Sequence, residues 1–422
     1  MTNATMPDSD ATLGRSSARA GLAGFVALVL ADATLQARLG AIERPDAYIA
    51  ETVAIAAAHA IALDADDLAA IRAAIRPDPL GLGRWLPSPV TRDRWPAQGW
   101  LPARAVQGTL PGDPPGFDWA WFGPQSLDAP FYAEAVQRFA SRPFNLMFRT
   151  RTSLADLVAG AETAATPAGF IHHMSRCGST LIARMLDADP AHVVLSEPEP
   201  LDVVVRWAMT SGAPLDDQVA ALRAIVGALG RDRSGETRRV FVKLDSWHVL
   251  ALPLFRAAFP DTPWVFAYRN PVEVLVSQRR ERGIHTVAGM LPVELLDIAG
   301  GPGMAADHYA ALVLKRMGEA VIEHWPLGGG LLVDYADMPA AIIDRIAPHF
   351  GFAPDPAQRA AMAAVALRSA KAPDQPFTSD TAAKHRAATP EIEAAARSYN
   401  APVHARLTIL RHIAAMQRDH AS

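Results

Sequence analysis

Arg176, Gly178, Ser179 and Thr180 stand almost side by side where the apolar run Phe170-Ile171-His172-His173 ends. A guanidinium, two hydroxyls and a glycine in this order suit a phosphate. The glycine lets the backbone come close, the hydroxyls donate, and the arginine supplies fixed charge. Apolar residues then recur at helical spacing, Leu181 with Met185 and Ile182 with Leu186. The pattern is strand, tight loop, helix N-terminus, which aims several N–H groups and the positive end of a helix dipole at one spot. It predicts a bound nucleotide. The loop is not G-x-x-x-x-G-K-[ST], because it lacks the lysine and the glycine spacing. Nor is it a cysteine-phosphatase loop, which needs an arginine six positions after the cysteine, where Ala183 stands. A helix N-terminus can acidify a thiol, but Cys177 reads as a small loop residue.

A second group lies further along. Trp264-Val265-Phe266-Ala267-Tyr268 is a β-prone run leading into Arg269-Asn270-Pro271 and the helical stretch 272–277. Proline suits the first turn of a helix. Arg269 at the strand end and Ser277 eight positions later offer a guanidinium fork and a hydroxyl to a phosphate monoester. Lys243 closes the run Val240-Phe241-Val242, and Ser196-Glu197-Pro198-Glu199-Pro200 sets two carboxylates on a proline-stiffened loop.

In this order the segments resemble the sulfotransferases that use 3′-phosphoadenosine 5′-phosphosulfate. Their 5′-phosphosulfate loop runs roughly Pro-Lys/Arg-Ser-Gly-Thr/Ser-Thr-Leu. Here Ser175 replaces the proline and Cys177 the first serine, while Arg176, Gly178, Ser179, Thr180 and Leu181 agree. The resemblance spans about residues 168–410 and includes Leu331-Leu332-Val333-Asp334-Tyr335-Ala336-Asp337, similar to a late strand and turn of that family. It implies that Arg176, Cys177, Gly178, Ser179, Thr180 and Leu181 surround the 5′-phosphate. Arg269 and Ser277 would hold the 3′-phosphate, with Lys384 as a late basic anchor. It further implies 3′-phosphoadenosine 5′-phosphosulfate as co-substrate, no metal, and Arg176 and Lys243 as catalytic cations.

The proton acceptor is less direct. The cytosolic members use a histidine in Lys-Thr-His, where this chain has Lys243-Leu244-Asp245. His248 nearby reads as a helix-start or core residue. The tyrosylprotein type and some bacterial relatives place a glutamate after the first helix. The stretch Met185-Leu186-Asp187-Ala188-Asp189-Pro190 followed by Ser196-Glu197-Pro198-Glu199 resembles that arrangement. The resemblance implies Glu197 as base, with Glu199 next. The acceptor stays open among peptide, carbohydrate, lipid and small-molecule hydroxyls. Two other readings stay open: an ATP-dependent phosphotransferase with an atypical loop, and a nucleotide-regulated, non-catalytic binding module in a peptide-modification pathway.

Strands and helices must position these groups. The expected order is strand 170–173, helix 180–188, strand 193–195, helices through 229, strand 240–244, helix 249–258, strand 264–268, helix 271–281, strand 330–334 and helix 339–350. Such alternation argues for an α/β fold with a mostly parallel sheet, P-loop-like and three-layered, with both phosphate groups at carboxyl ends of strands. This domain is expected over 166–415. The glycine-rich stretch 282–306 reads as a mobile lid.

Ahead of it come a disordered tail (1–16), a small helical N-terminal domain (17–76) and a Trp/Pro-rich segment (77–165). In the helical part Phe25, Leu28, Leu35, Leu39, Ile49, Val53, Leu63, Leu68 and Ile71 are expected core positions. Phe25, Leu35-Gln36-Ala37-Arg38-Leu39, Asp46-Ala47-Tyr48-Ile49 and Asp66-Asp67-Leu68 resemble the small leader-peptide domain of nitrogen-fixation and peptide natural-product clusters. The tryptophans of 77–165 are too many for a linker, so this segment is expected as an irregular layer packed on the catalytic domain, with a helix over 131–139 and a strand or turn over 143–149.

Composition adds exclusions. In 422 residues the net charge is −4, so there is no basic excess for wholesale nucleic-acid binding. A single cysteine leaves no intramolecular disulfide and argues against a cysteine-rich metal site. The apolar run 20–31 is too short to span a bilayer and continues as a helix, so a cytoplasmic protein without a membrane partner is expected.

Overall fold

The computed structural model describes residues 21–66, 68, 88–108, 110, 112–127, 129–161, 166–298, 303–370 and 374–419. The expected tail 1–16 and the core position Ile71 lie outside them.

Five parallel strands form the central sheet: β5 (Gly169–His173), β6 (His192–Ser196), β7 (Arg239–Lys243), β8 (Trp264–Tyr268) and β9 (Gly330–Asp334), in the order β6-β7-β5-β8-β9. Their near-continuous apolar sequences follow from burial on both faces. Alternate residues feed different cores. Ile171, Phe241, Val265, Leu331 and Val333 pack with Leu181 and Met185 of the helix Ser179–Leu186. Phe170, Val242, Phe266 and Leu332 point the other way, toward Leu222 and Ile225 of the helix Leu215–Leu229 and Val313 of the helix Ala306–His324. The result is a mixed α/β body on a parallel sheet, with helices against both faces. The chain leaves β5 toward β6 and β7, then crosses to β8 on the opposite side. A crevice therefore opens at the carboxyl end of β5, between the ends of β7 and β8.

Some elements differ from the sequence expectation. The helix expected over 249–258 is a 3-10 turn, Ser246–Ala251, before a helix Leu252–Ala258, because Pro253 occupies the first turn of the latter. The helix expected over 339–350 runs over 340–349, with a π-type stretch, Ile342–Ile346, at its centre and an α-helical end, Ala347–His349. The sequence assigns no element to Ala306–His324, whose buried Tyr309, Val313, Met317 and Val321 show clear helical spacing. Within 282–306, Leu291, Leu295 and Leu296 are buried in the main core, and Arg282 pairs with Asp307 at 2.7 Å.

The Trp/Pro-rich segment is more regular than its composition suggests. β1 (Val90–Arg92), β2 (Trp100–Val106), β3 (Gly116–Trp121) and β4 (Thr150–Ser153) form a second sheet, order β1-β4-β3-β2. Pro102 hides β2 from a sequence reading. It is tolerated because β2 is an edge strand and its register slips between Pro102 and Arg104. The indole N–H groups find acceptors: Trp100 donates to Gln36 Oε1 (2.8 Å), Trp119 to Thr152 Oγ1 (2.9 Å) and Trp95 to the Leu157 carbonyl (2.7 Å). A helix Tyr132–Ala140 matches expectation, while 143–149, expected as a strand or turn, holds a short helix, Pro143–Met147.

The helices Gly21–Ala31 and Ala33–Gly40 meet at 105°. Asp32 causes the break, its Oδ1 accepting from the amides of Thr34 (2.7 Å) and Leu35 (3.2 Å) as an N-cap. Phe25, Leu35, Leu39 and Leu68 are buried as expected, whereas Tyr48, Thr52 and Ile55 point inward in place of Ile49 and Val53. The helix Pro45–Ala58 is apolar on nearly every side, so its sequence does not choose a face. Among the described residues no single helix is long and apolar enough to cross a membrane.

Candidate active site

A cleft of about 620 Å³ lies at the carboxyl ends of β5, β7 and β8, within the usual size of a small-molecule site. Its floor is the turn after β5. Ser175 (φ 56°), Arg176 (φ 53°) and Gly178 (φ 86°) are left-handed, and this winding carries the chain from strand end into helix within a few residues. At Gly178 a Cβ would stand 2.8 Å from the Tyr335 ring and 3.0 Å from Met338 Sδ, so the position has room only for hydrogen. The helix Ser179–Leu186 then begins with no side-chain cap, and its first residues, Ser179 and Thr180, line the cleft.

Arg176, Cys177, Gly178, Ser179, Thr180 and Leu181 all line this cleft, and so do Glu197, Lys243, Arg269, Ser277 and Lys384. Arg176 pairs with Glu281 (2.8 Å). Cys177 is fully buried, its thiol directed at the Ala267 carbonyl (3.1 Å), and burial pushes it up to about 11. It serves as a packing residue, with no thiolate at neutral pH.

At the other end Arg269 is buried over Tyr335, its guanidinium 3.8 Å from the ring centre. It donates to Glu273 Oε2 (2.7 Å, from Nε) and to Asp380 Oδ1 (2.8 Å, from Nη2). The second oxygen of Asp380 lies 2.8 Å from Lys384 Nζ, so one carboxylate bridges both cations. Ser277 donates to the Glu273 carbonyl (2.9 Å) on the helix Pro271–Arg280.

Between these ends sit the carboxylates. Glu197 follows β6 with φ 51° and forms an ion pair with Lys243, while His173 Nε2 lies 3.4 Å from its Oε1. Burial opposes its charge, but Lys243 and His173 outweigh burial and hold Glu197 well below the usual carboxylate range. The His173 tautomer follows from its neighbours: Nδ1 accepts from the Ser175 amide (3.1 Å), leaving Nε2–H to donate to the Leu244 carbonyl (2.9 Å). Burial keeps this ring neutral by lowering its pKa. Glu199 is turned away. Its Oε2 accepts from the Ala105 amide of β2 (2.9 Å), burial raises its pKa, and it does not line the cleft. It ties the helix Glu199–Thr210 to the second sheet.

Four cleft residues that the sequence reading passed over are Asp245, Tyr335, Asp380 and His173. Asp245 begins the Ser246–Ala251 turn with its carboxyl uncapped, and burial pushes it up to about 7. Its place two residues after the strand-end lysine was a usable signal. Tyr335 and Asp380 sit in segments distant in sequence, and only the fold brings them to Arg269. Among the described residues, one group has metal-like geometry: Asp202, Asp245 and His248. Two of its three members are already engaged with each other and with neighbours, since Asp202 accepts from Trp247 Nε1 (2.8 Å), His248 Nε2 (3.0 Å) and Arg206 Nε (2.6 Å). With a guanidinium at its side, this set suits a hydrogen-bonded network better than a cation.

No protein-family model matches the chain, and no curated protein matches it. Among solved structures it is similar to the sulfotransferase STF1 of Mycobacterium tuberculosis H37Rv (18% identity, TM-score 0.33, 50% of this chain and 76% of that one). A sulfotransferase from Alicyclobacillus acidocaldarius is similar at 16% identity and TM-score 0.36, over 59% of this chain and 96% of that one. The sulfotransferase domain from the curacin biosynthetic pathway is similar at 14% identity and TM-score 0.35, over 59% and 98%. A likeness of this degree carries no argument about chemistry.

Proposed function

We propose that the chain is a sulfotransferase that moves a sulfuryl group from 3′-phosphoadenosine 5′-phosphosulfate to an acceptor hydroxyl, on a P-loop-like three-layer domain. The observation that carries this reading is the pairing of two anion sites in one cleft. An uncapped helix N-terminus with Arg176, Ser179 and Thr180 stands at one end, and Arg269, Ser277 and Lys384 at the other. A nucleotide with phosphates at both 5′ and 3′ positions matches two such sites, and one with a single phosphate group leaves the second unexplained.

In this reading Arg176, Ser179, Thr180 and the loop amides hold the 5′-phosphate and stabilise the charge it gains as leaving group. Lys243 faces the breaking bond from the end of β7. Arg269 and Ser277 hold the 3′-phosphate, with Lys384 beside them. The acceptor oxygen bonds to sulfur as the sulfur–oxygen bond to the nucleotide breaks, and the hydroxyl proton passes to a carboxylate of the cleft. A sulfuryl group carries less charge than a phosphoryl group, and the residues present supply the positive charge without a metal. The acceptor is a hydroxyl compound, of which a peptide is one class; the protein acts in the cytoplasm.

Calorimetry in EDTA tests the reading with 3′-phosphoadenosine 5′-phosphate, 5′-AMP and ATP. Metal-independent binding selective for the 3′-phosphorylated nucleotide is expected. ATP binding that requires Mg²⁺ would move the chain to phosphoryl transfer.

A further inference from the structure

Resting on the sulfuryl-transfer reading, the question is which group takes the acceptor's proton. It must face the cleft, have an uncommitted lone pair and change charge near neutrality. Most ionisable groups of the cleft fail on geometry. His173 has both ring nitrogens engaged, and His285 stands against Ser246 Oγ (3.1 Å from Nδ1) with burial pushing it down to about 4. Asp380 bridges Arg269 and Lys384, and Glu281 pairs with Arg176. Glu197 is tied through Oε1 to Lys243, an ion pair that keeps it in the charged form.

Asp245 differs from all of them. It lines the cleft two residues beyond Lys243, and its side chain is 24% exposed. No described residue donates a hydrogen bond to its carboxylate. The nearest cation-capable group, His248 Nε2, lies 4.0 Å away and directs its hydrogen bond to Asp202 instead (3.0 Å). The ionisable groups around it are Lys243 on β7, Glu197 after β6, His248 on its own turn, and Asp202 with Arg206 on the helix Glu199–Thr210.

We infer that Asp245 is the proton acceptor of the transfer and that Glu197 is a positioning residue that holds Lys243. The acceptor O–H bond breaks and its proton goes to an Asp245 oxygen while the acceptor oxygen bonds to sulfur. The electron pair of the broken sulfur–oxygen bond leaves on the nucleotide's phosphate, and Asp245 returns the proton to water. Burial places Asp245 near 7, which agrees with this role, whereas Glu197 stays ionised beside its lysine.

The test is infrared difference titration of the full chain, wild type minus Asp245→Asn, with and without 3′-phosphoadenosine 5′-phosphate. The expected signal is a carboxylic acid that ionises between about pH 6 and 8. Ionisation below about pH 5, the ordinary aspartate range, overturns the assignment. A second reading uses labelled sulfuryl donor and a panel of phenols and primary alcohols. In the wild type kcat/KM rises with pH through about 7. Asp245→Asn keeps nucleotide affinity, loses that limb and falls on the order of 10²-fold or more, and Asp245→Glu recovers part of the rate with a displaced limb. Glu197→Gln is slowed but retains the limb. Unchanged turnover in Asp245→Asn, or loss of the limb only in Glu197→Gln, returns the role to Glu197. Absent nucleotide binding in the wild type sinks the donor reading separately, because the infrared titration needs no nucleotide.

Discussion

Replacing Asp380 by asparagine should tighten binding of 3′-phosphoadenosine 5′-phosphate. Asp380 places one oxygen 2.8 Å from Arg269 Nη2 and the other 2.8 Å from Lys384 Nζ. Both cations are buried, while the Asp380 side chain is 46% exposed. It therefore covers the charges that a 3′-phosphate would use, from a position that solvent screens. Ion pairs with an exposed partner are worth about 0.2–1 kcal/mol each, so displacing two of them costs the incoming phosphate about 1 kcal/mol. Asparagine keeps the volume and a carbonyl acceptor for Arg269 but removes the charge, which should lower the dissociation constant about fivefold. Titration calorimetry reads this directly, with 5′-AMP as the control that lacks the 3′-phosphate. The gain should appear for the 3′-phosphorylated nucleotide, shrink at high salt and be absent for 5′-AMP. Weaker binding in the variant, or equal tightening for both nucleotides, would refute the reasoning.

The phosphate loop has its own probe. Gly178→Ala introduces a Cβ at φ 86° within 2.8 Å of Tyr335, and should cost about 1–3 kcal/mol of stability and most nucleotide affinity, as read by thermal unfolding and calorimetry. Cys177, with its thiol near 11, should resist a thiol reagent at pH 8 in the native protein and react stoichiometrically after denaturation. His172 is fully buried between Phe255 and Trp264, neither ring nitrogen has a partner among the described residues, and burial pushes it down to about 3. Its folded pKa lies below the unfolded value near 6.5, so the unfolded chain binds the extra proton and stability falls as pH drops from 6.5 toward 3. Between pH 7 and 5 this amounts to about 2 kcal/mol. Denaturant unfolding of His172→Phe should show a pH loss smaller by that amount, and an unchanged loss would contradict the assignment.

The parallel sheet was legible because its strands are apolar runs ended by glycine, proline or a charged residue, and the helices between them keep a 3.6-residue period. The cleft residues Arg176, Lys243 and Arg269 were legible for a related reason: each is a polar residue at the carboxyl end of such a run. Glu199 was not. It stands two residues from Glu197 in an acidic, proline-rich loop, and its commitment to the Ala105 amide depends on the second sheet lying against its helix. Asp380 was also hidden, since its meaning depends on a segment 111 residues away folding back onto Arg269. The second sheet escaped notice because Pro102 and short strands imitate loop composition, whereas buried tryptophans with paired indoles define it. The inward face of the helix Pro45–Ala58 depends on Tyr48 and Thr52, which a hydrophobic pattern alone ranks below Ile49 and Val53.

The most direct test of two anion sites in one cleft is the ratio of affinities for 3′-phosphoadenosine 5′-phosphate and 5′-AMP, measured by calorimetry on wild type and Arg269→Ala. Charge-assisted hydrogen bonds contribute roughly 1.5–3 kcal/mol each, so the wild type should prefer the 3′-phosphorylated nucleotide by at least about tenfold, and the variant should lose that preference while keeping its 5′-AMP affinity. Equal affinity for the two nucleotides in the wild type, or a preference that survives the loss of Arg269, would contradict the account.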